Sequence, residues 1–334
     1  MSSVWMGSEV SVTPTSTFRD TFDTEYTPIR TSVPPSPAID RLSGILDRFR
    51  VQAQLHHTGA MCGLNHFDAG EGHGYLHVLR RGELKVSHPG SREVPESLHF
   101  DQPTLLLYAR PFTHRFHNPP VDGSDFTCAR LAFDGGPLNP LARALPPLIA
   151  LPLAQVEGLD GALSLLFAET DRVRCGQRLL ADRLFEVVML QLLRWLLDHP
   201  QEAGIRPGLI AGLSDPRLAR TLVAMHESPG EPWPLERMAE QAGMSRTTFA
   251  NTFREVVGQT PADYLSDWRI ALAQSRLREG RSIKALADEL GYANPSALSR
   301  AFTARTGASP RDWLKARSDA TEAAAATATA AAQA

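Results

Sequence analysis

The chain has 334 residues, of which 43% are hydrophobic and 21% charged, and its formal net charge is −3, a composition typical of a soluble globular protein large enough for two domains. No apolar run approaches the length of a membrane span, about 20 residues, and the N-terminus lacks the basic start and apolar stretch of a secretory signal. We therefore expect a cytoplasmic protein in which Cys62, Cys128 and Cys175 are free thiols rather than a disulfide framework.

The two ends of the chain differ in composition from the rest. Residues 1–36 are rich in Ser, Thr and Pro and show no apolar period, which predicts a disordered arm. Residues 318–334 consist mostly of Ala and Thr, which predicts a disordered Ala-rich tail. Within the body of the chain, residues 39–51 place apolar side chains at helical spacing and predict a first helix.

Residues 52–134 show the shorter period of β-strands. Runs such as Tyr75–Leu79, Leu105–Tyr108 and Phe126–Phe133 alternate or are apolar throughout, and Gly, Pro and Asp separate them. Many short strands at close spacing predict a small β-barrel or a double-sheet sandwich. We assign residues 37–150 to this β-domain.

Residues 151–200 return to helical spacing and present a long apolar surface that includes Leu163 and Leu184. Part of this surface must pack on the β-domain. The surplus either packs within the chain or forms a helix-to-helix dimer contact. Residues 201–214 contain Pro207 and three glycines and follow Pro200, which predicts an interdomain linker.

Residues 235–314 contain one pattern twice. The first copy runs from Leu235 to Leu265 and the second from Ile283 to Leu314. Repetition of this kind predicts two copies of one supersecondary unit. The equivalent positions are Ala239 and Ala287, Gly243 and Gly291, Phe249 and Leu298, Phe253 and Phe302, Gly258 and Gly307, Pro261 and Pro310, and Leu265 and Leu314.

Each copy has the features of a helix-turn-helix. Gly243 and Gly291 can end a helix in the left-handed conformation, and Ser245 and Asn294 can cap the helix that follows. Residues 262–279 predict a long helix that joins the units rigidly, so that both could enter successive major grooves about 34 Å apart. The positions expected to contact bases and phosphates are Arg246, Thr247, Thr248, Asn251 and Arg254 in the first unit, and Asn294, Ser296, Ala297, Ser299, Arg300 and Arg305 in the second.

Residues 215–317 resemble the DNA-binding domain of the AraC/XylS family of bacterial transcription regulators, through the two copies and the stretch Arg269–Gln274. The resemblance implies sequence-specific binding to promoter DNA, with RNA polymerase as a further partner. Charge agrees with this, because the region holds 15 basic and 12 acidic residues in a chain that is otherwise negative.

The β-domain resembles the cupin-type sensor domain that precedes the DNA-binding domain in many of these regulators. Residues 76–85, 110–114 and 136–146 carry this resemblance. It implies an α+β multidomain fold, with an N-terminal cupin-like β-barrel and a C-terminal all-α double helix-turn-helix domain. A small effector is the implied ligand, and a homodimer is the expected assembly.

Four side chains of the β-domain could carry sensing chemistry: Cys62, His77, His114 and Cys128. The residues around the cysteines resemble those of AraC-type regulators that sense reactive chlorine species. This resemblance implies a redox pair that forms sulfenic acid and then a disulfide. Two thiolates and two imidazoles are also suitable zinc ligands. The cysteines could equally be ordinary buried small residues.

Tyr75 is expected to line an effector pocket together with His77 and His114. It stands where metal-binding cupins place a glutamate ligand, and no His-x-His precedes it, so the sequence departs from a 2-His-1-carboxylate iron site. We find no acid–base pair or nucleophile elbow and expect that the protein is not an enzyme. A cupin oxygenase or isomerase fused to a DNA-binding domain is the alternative.

Overall fold

Two antiparallel sheets build the N-terminal part of the protein in the computed structural model, which describes residues 39–119 and 123–316. The larger sheet has the strand order β1-β8-β3-β6-β9 and the smaller one the order β2-β7-β4-β5. The predicted arm over residues 1–36 and tail over residues 318–334 lie outside the described residues. The strands are β1 (Val51–Met61), β2 (Leu64–Phe67), β3 (Gly74–Arg81), β4 (Leu84–Ser87), β5 (Ser97–Phe100), β6 (Thr104–Tyr108), β7 (His114–His117), β8 (Ser124–Phe133) and β9 (Ile149–Pro152).

The two sheets form a double-sheet sandwich, one of the two arrangements that the strand pattern predicts, and within the described part of the chain they do not close into a barrel. Among the described residues, no strand of one sheet pairs with a strand of the other. Gly63 and Gly82 explain the break, because each has a positive φ and turns the chain sharply from the larger sheet into the smaller one. The ladders therefore stop at these corners.

Strand β3 is buried on both faces, which explains its continuous apolar sequence. Tyr75 and Leu79 point between the sheets, whereas Leu76 and Val78 pack on the opposite face, against the helices. A strand covered on both sides needs apolar residues at every position rather than at alternate ones.

The helices of the N-terminal part are α1 (Ser43–Leu46), α2 (Pro140–Ala144), α3 (Leu159–Thr170), α4 (Gln177–Asp198) and α5 (Leu209–Ser214). Helix α4 packs along β1 of the larger sheet, α3 packs against α4, and α5 packs against the helices Pro216–Glu227 and Arg246–Val257 of the C-terminal part. The helix expected over residues 39–51 is limited to α1, because Val51 already pairs with Phe133 in β8. Helix α5 lies within the segment predicted as interdomain linker, with Ile210 and Leu213 buried in the main core.

The C-terminal part is all helical and contains the two predicted helix-turn-helix units. Its helices are α6 (Pro216–Glu227), α7 (Leu235–Ala242), α8 (Arg246–Val257), α9 (Pro261–Arg278), α10 (Ile283–Glu289) and α11 (Pro295–Thr306), and residues 310–316 are also helical. Helices α7 and α8 form the first unit, α10 and α11 form the second, and α9 connects them. None of the helices in the described ranges is long and apolar enough to cross a membrane.

The predicted caps and core positions of the two units are confirmed. The Ser245 hydroxyl accepts the backbone N–H of Thr248, and the Asn294 side chain accepts that of Ala297. Gly243 and Gly291 both have positive φ. The apolar pairs at i, i+4 are fully buried, and they are Phe249 and Phe253 in α8 and Leu298 and Phe302 in α11.

Candidate nucleic-acid interface and sensor core

Helix α8 presents most of the polar side chains expected to contact DNA in the first unit. Arg246, Thr247, Thr248, Asn251 and Arg254 are all exposed. Because Phe249 and Phe253 anchor the opposite face in the core, these five side chains share the outer face of one helix. An exposed polar helix of this kind fits the width of a major groove.

Two of the arginines in α8 have different surroundings. Arg246 forms an ion pair of 2.6 Å with Glu236 of α7, a residue that sequence reasoning missed. Arg254 makes no ion pair with any residue in the described ranges and is free to approach a phosphate. The pair with Glu236 contributes little to stability, because both side chains are well exposed. It directs the Arg246 guanidinium along the exposed side of the unit.

Helix α11 offers fewer free donors than α8. Asn294, Ser296 and Arg300 are exposed, whereas Ala297 and Ser299 are half-buried. The Ser299 hydroxyl donates to the carbonyl of Pro295 at 2.9 Å. The second unit therefore presents mainly small side chains and one free arginine, Arg300.

Arg305 has a structural role that was not foreseen. Its guanidinium pairs with Asp263 at 2.7 Å and with Asp267 at 3.1 Å, both on α9. The Arg305 guanidinium lowers the pKa of Asp263, after the larger effect of the hydrogen bond from Thr260. These pairs tie the end of α11 to α9, so Arg305 is less available to a phosphate than Arg254 or Arg300.

The two units are fixed to each other by more than the connecting helix. The loop between α6 and α7 contacts the end of α10, where Gly230 and Gly291 lie backbone against backbone. Arg269 of α9 holds the same loop, donating to the carbonyls of Pro229 at 2.7 Å and Glu231 at 3.0 Å. The loop that leads into the first unit therefore contacts the second unit directly.

The sensor core between the sheets brings His77 and His114 together. The His114 Nδ1 donates to the carbonyl of Phe112 at 2.7 Å, so a neutral His114 accepts at Nε2. The Nε2 of His77 lies 3.0 Å from it and is the donor. The Nδ1 of His77 then carries no proton, and it has no partner among the described residues.

Burial keeps both histidines uncharged. Desolvation lowers the pKa of His77 well below its usual value and that of His114 to about 3. Tyr75 stacks on His77 with the ring centroids 5.3 Å apart, and Phe67 stacks on His114 at 4.7 Å. The residues predicted to line an effector pocket are therefore brought together, but aromatic side chains pack the space around them.

The structure does not bring Cys62 and Cys128 together. Cys62 is exposed just after β1, whereas Cys128 is buried in β8 opposite His77. Met61 pairs with Ser124, which lies four residues along β8 from Cys128, or about 13 Å at the usual rise of a strand. A disulfide requires Cα atoms within about 7 Å. The strand register therefore contradicts the prediction that Cys62 and Cys128 form a disulfide.

The buried thiol is also chemically unsuited to the predicted roles. Burial raises the pKa of Cys128, so that the thiol stays protonated and unreactive. Within the described ranges, no group of three or more His, Cys, Asp or Glu side chains is arranged to hold a metal ion. The candidate zinc set of Cys62, His77, His114 and Cys128 is accordingly not assembled.

Comparison with known proteins agrees with this architecture. Residues 40–198 match the cupin family, and residues 238–316 match a helix-turn-helix domain family. An AraC-like transcription regulator of Streptomyces antibioticus is 36% identical over 174 residues, which cover 51% of this chain and 57% of the relative. The regulator AlkR of Acinetobacter baylyi is 32% identical over 180 residues, covering 52% and 58%. The chain thus matches little more than half the length of these two relatives.

A third relative bears on the redox hypothesis. RclR of Escherichia coli, an RCS-specific transcriptional activator, is 26% identical over 242 residues, which cover 71% of this chain and 82% of RclR. The likeness to this regulator is weaker in identity than the likeness to the first two. It does not by itself assign oxidant sensing to this chain.

Fold and matches together define a protein with an N-terminal cupin domain and a C-terminal helix-turn-helix domain. The relatives are all named as transcription regulators, in agreement with the expectation that the chain is not an enzyme.

Proposed function

We propose that this protein is a transcription regulator that binds promoter DNA through α8 and α11. The observation that carries the proposal is the pair of similar units, each with an apolar face in the core and a polar helix on the surface. The backbone contact between Gly230 and Gly291 and the hydrogen bond from Arg269 to the carbonyl of Pro229 hold the two units in one arrangement. We call α8 and α11 the reader helices. Two reader helices in a fixed arrangement are suited to two successive major grooves on one side of a duplex.

The two reader helices, α8 and α11, contribute differently to DNA recognition in this proposal. Helix α8 supplies base recognition through Arg246 and Asn251, which can form hydrogen bonds with guanine and adenine edges. Arg254 and Arg300 contact phosphates. Helix α11 has small hydroxyl and methyl groups near its start and reads fewer base pairs. Specificity should therefore be concentrated in one half of the site.

The test is selection of DNA from a random pool by the purified full chain. We expect an enriched sequence with two elements about 10 base pairs apart, one of them better defined. Fluorescence anisotropy would then compare the wild-type chain with the variant Arg254→Glu/Arg300→Glu, for which affinity should be lost. The variant Arg178→Glu on α4 is the matched control. If no sequence is enriched above the starting pool, the proposed function is wrong.

We further propose that the protein acts as a homodimer with RNA polymerase as its partner at the promoter. Helix α4 packs along β1, where the Asp182 carboxylate accepts the backbone N–H of Leu55 at 2.6 Å. Its other side leaves Leu180 and Val187 exposed, with Leu184 between them at helical spacing. A second copy of α4 would cover this apolar face.

We also propose that the N-terminal domain senses a small effector. Oxidant sensing through a disulfide between Cys62 and Cys128 is not favoured, because the strand register separates them and Cys128 is buried. Cys62 alone is accessible to an oxidant. A bound zinc ion and a cupin enzyme find no support in the described arrangement of side chains.

A further inference from the structure

A cleft of about 740 Å³ lies between the N-terminal domain and the DNA-binding domain. One wall is formed by residues of α2 and the start of α5, including Arg143 and Leu209. The other is formed by α9 and by the ends of both reader helices, at Val257 and at residues 304–306. Its volume is in the range of sites that bind small molecules, roughly 300–1,000 Å³.

Apolar residues outnumber polar ones among the residues that line the cleft. Leu138 and Ala144 line one side, and Trp268, Ile270 and Ala271 of α9 line the other. Uncharged polar side chains interrupt them, and these are Gln259, Tyr264, Gln274 and Thr306. Such a lining favours a ligand with an apolar body and few polar groups.

The charges of the cleft favour a negative group on that ligand. Its charged lining residues are Arg143, Arg305 and Asp267. Asp267 is paired with Arg305, which is also paired with Asp263. Arg143 forms no ion pair within the described part of the chain. The Asp267 carboxylate is already paired with Arg305; burial raises its pKa, and the charges of Arg305 and, from a greater distance, of Arg143 oppose that rise. Arg143 itself makes no direct ion pair in the described residues and can therefore form one with the negative group of a ligand.

We propose that this cleft binds a small organic monoanion with an apolar body, and that this ligand is the effector of the regulator. The inference rests on the proposed function and moves the effector site away from the sandwich interior, where His77 and His114 are closely packed. The acidic group of the ligand pairs with Arg143, and its body lies against Trp268 and Ala271.

A ligand at this place contacts elements of both domains. It contacts the N-terminal domain through α2 and α5, and it contacts the ends of α8 and α11. Its binding therefore couples the arrangement of the two domains to the position of both readers. By linkage, DNA that favours one arrangement changes the affinity for the ligand by the same factor.

The experiment uses the aromatic anion 1-anilinonaphthalene-8-sulfonate as a fluorescent probe of the full chain. We expect binding that 1-naphthoate displaces and the cation 1-naphthylmethylammonium does not. Arg143→Gln should weaken binding about tenfold, since it removes a charge-assisted hydrogen bond. Ala271→Phe should weaken it by occupying the cleft without a change of charge. Thermal unfolding of both variants would show whether they remain folded.

The matched control is Arg178→Gln, which removes an exposed arginine on α4, away from the cleft lining. If the probe binds wild-type, Arg143→Gln and Ala271→Phe proteins equally, it binds another apolar surface and the inference is overturned. A folded Ile270→Gln variant that keeps full affinity would overturn it as well.

The second part of the experiment measures DNA affinity with and without 1-naphthoate. We expect a change of several-fold for the wild-type chain and none for Arg143→Gln. A ligand that binds in the cleft without changing DNA affinity would show that the cleft is not an effector site. Failure to select any DNA would overturn the proposed function, whereas the probe titration would still decide whether the cleft binds anions.

Discussion

Gly230 and Gly291 pack backbone against backbone, in a space where neither residue could carry a Cβ. Gly230 lies in the loop before the first helix-turn-helix unit, and Gly291 follows the first helix of the second unit. The contact fixes the distance between the two units independently of α9. The orientation of the readers thus depends on two glycines that lie outside both reader helices.

We predict that Gly230→Ala separates the two units and weakens DNA binding. Its Cβ would collide with the backbone carbonyl of Glu289, which cannot yield as the end of a flexible side chain can. We expect a loss of stability of about 1–3 kcal/mol, as for an overpacked core, and reduced affinity for a site with two elements. Affinity for a site with one element should change less.

Gly243→Ala is the control for the substitution of a glycine itself. Gly243 has a positive φ but open space around its Cβ position, so this variant should lose about 1 kcal/mol from backbone strain alone. It should retain the preference for two elements at the original spacing. Equal losses of DNA affinity in the two variants would contradict a role for the contact between the units.

We predict that Arg246 and Arg254 affect DNA binding in different ways. Arg246→Ala should lower affinity for the selected site by about 1–3 kcal/mol and relax the preference at one base pair. Arg254→Ala should weaken binding to all sequences and reduce the slope of log affinity against log salt by about 1. Anisotropy titrations at several salt concentrations measure both. The assignment fails if the two variants change specificity and salt slope alike.

We predict that the three cysteines react in two classes. Cys62 and Cys175 are exposed and should be alkylated quickly by iodoacetamide, whereas Cys128 should react only in denaturant. Mild oxidation should produce no disulfide between Cys62 and Cys128 in the native protein, because the pairing of β1 with β8 holds them apart. Peptide mass spectrometry reads both results. A native disulfide between these residues would revive the redox pair.

We predict that buried histidines make the protein less stable in acid. Burial lowers the pKa of His114 and of His226 to about 3, from an ordinary value of 6.5. Below pH 6.5 the unfolded chain binds protons that the folded chain does not bind until about pH 3. The free energy of unfolding therefore falls through this window as pH falls, by about 1.4 kcal/mol per pH unit for each histidine, and is unaffected by these groups above it.

The variant His226→Gln isolates one of these groups. The free energy of unfolding, measured with urea at pH 5, 6 and 7, should change less steeply with pH than that of the wild-type chain. The difference in slope should equal the contribution of about one histidine. His226 stacks on Trp268 and pairs with Tyr264, so the variant will be less stable at every pH, but only the slope tests the prediction. An unchanged slope would mean that His226 is already charged or accessible in the folded state.

We predict that Leu180→Glu shifts the protein from dimer to monomer. Leu180 is 50% exposed and Val187 is 43% exposed on the same side of α4, and a charge in the middle of a dimer contact would be buried without a partner. Sedimentation velocity measures the assembly. Leu64→Glu on β2, at a leucine that is 64% exposed, is the control. A dimer that tolerates Leu180→Glu would exclude α4 as its contact.

The local features of the DNA-binding domain could be predicted from sequence because they depend on neighbours along the chain. A capping hydroxyl such as that of Ser245 bonds three residues ahead, and the pair Phe249 and Phe253 shares one face through helical spacing alone. Repetition of the pattern then identified the second unit. These signals need no knowledge of distant contacts.

Contacts between distant segments were not predictable in the same way. The approach of Gly230 to Gly291, the pairing of Arg305 with Asp263 and the cleft beside Arg143 all depend on how elements pack. The resemblance of the residues around Cys62 and Cys128 to those of oxidant-sensing regulators likewise suggested a redox pair, because strand register cannot be read from the sequence. Arg143 lies in the Pro-rich stretch over residues 136–146, which in the sequence indicated only a resemblance to a cupin-type sensor domain.

The ring of Phe49 meets Trp268 edge to face, with 5.2 Å between the ring centroids. Phe49 precedes β1, and Trp268 belongs to the helix that joins the two readers. This tryptophan, buried to 3% exposure, is consequently an intrinsic optical reporter: any separation of the sheet-bearing half from the helical half would hydrate its indole and shift its emission to longer wavelength.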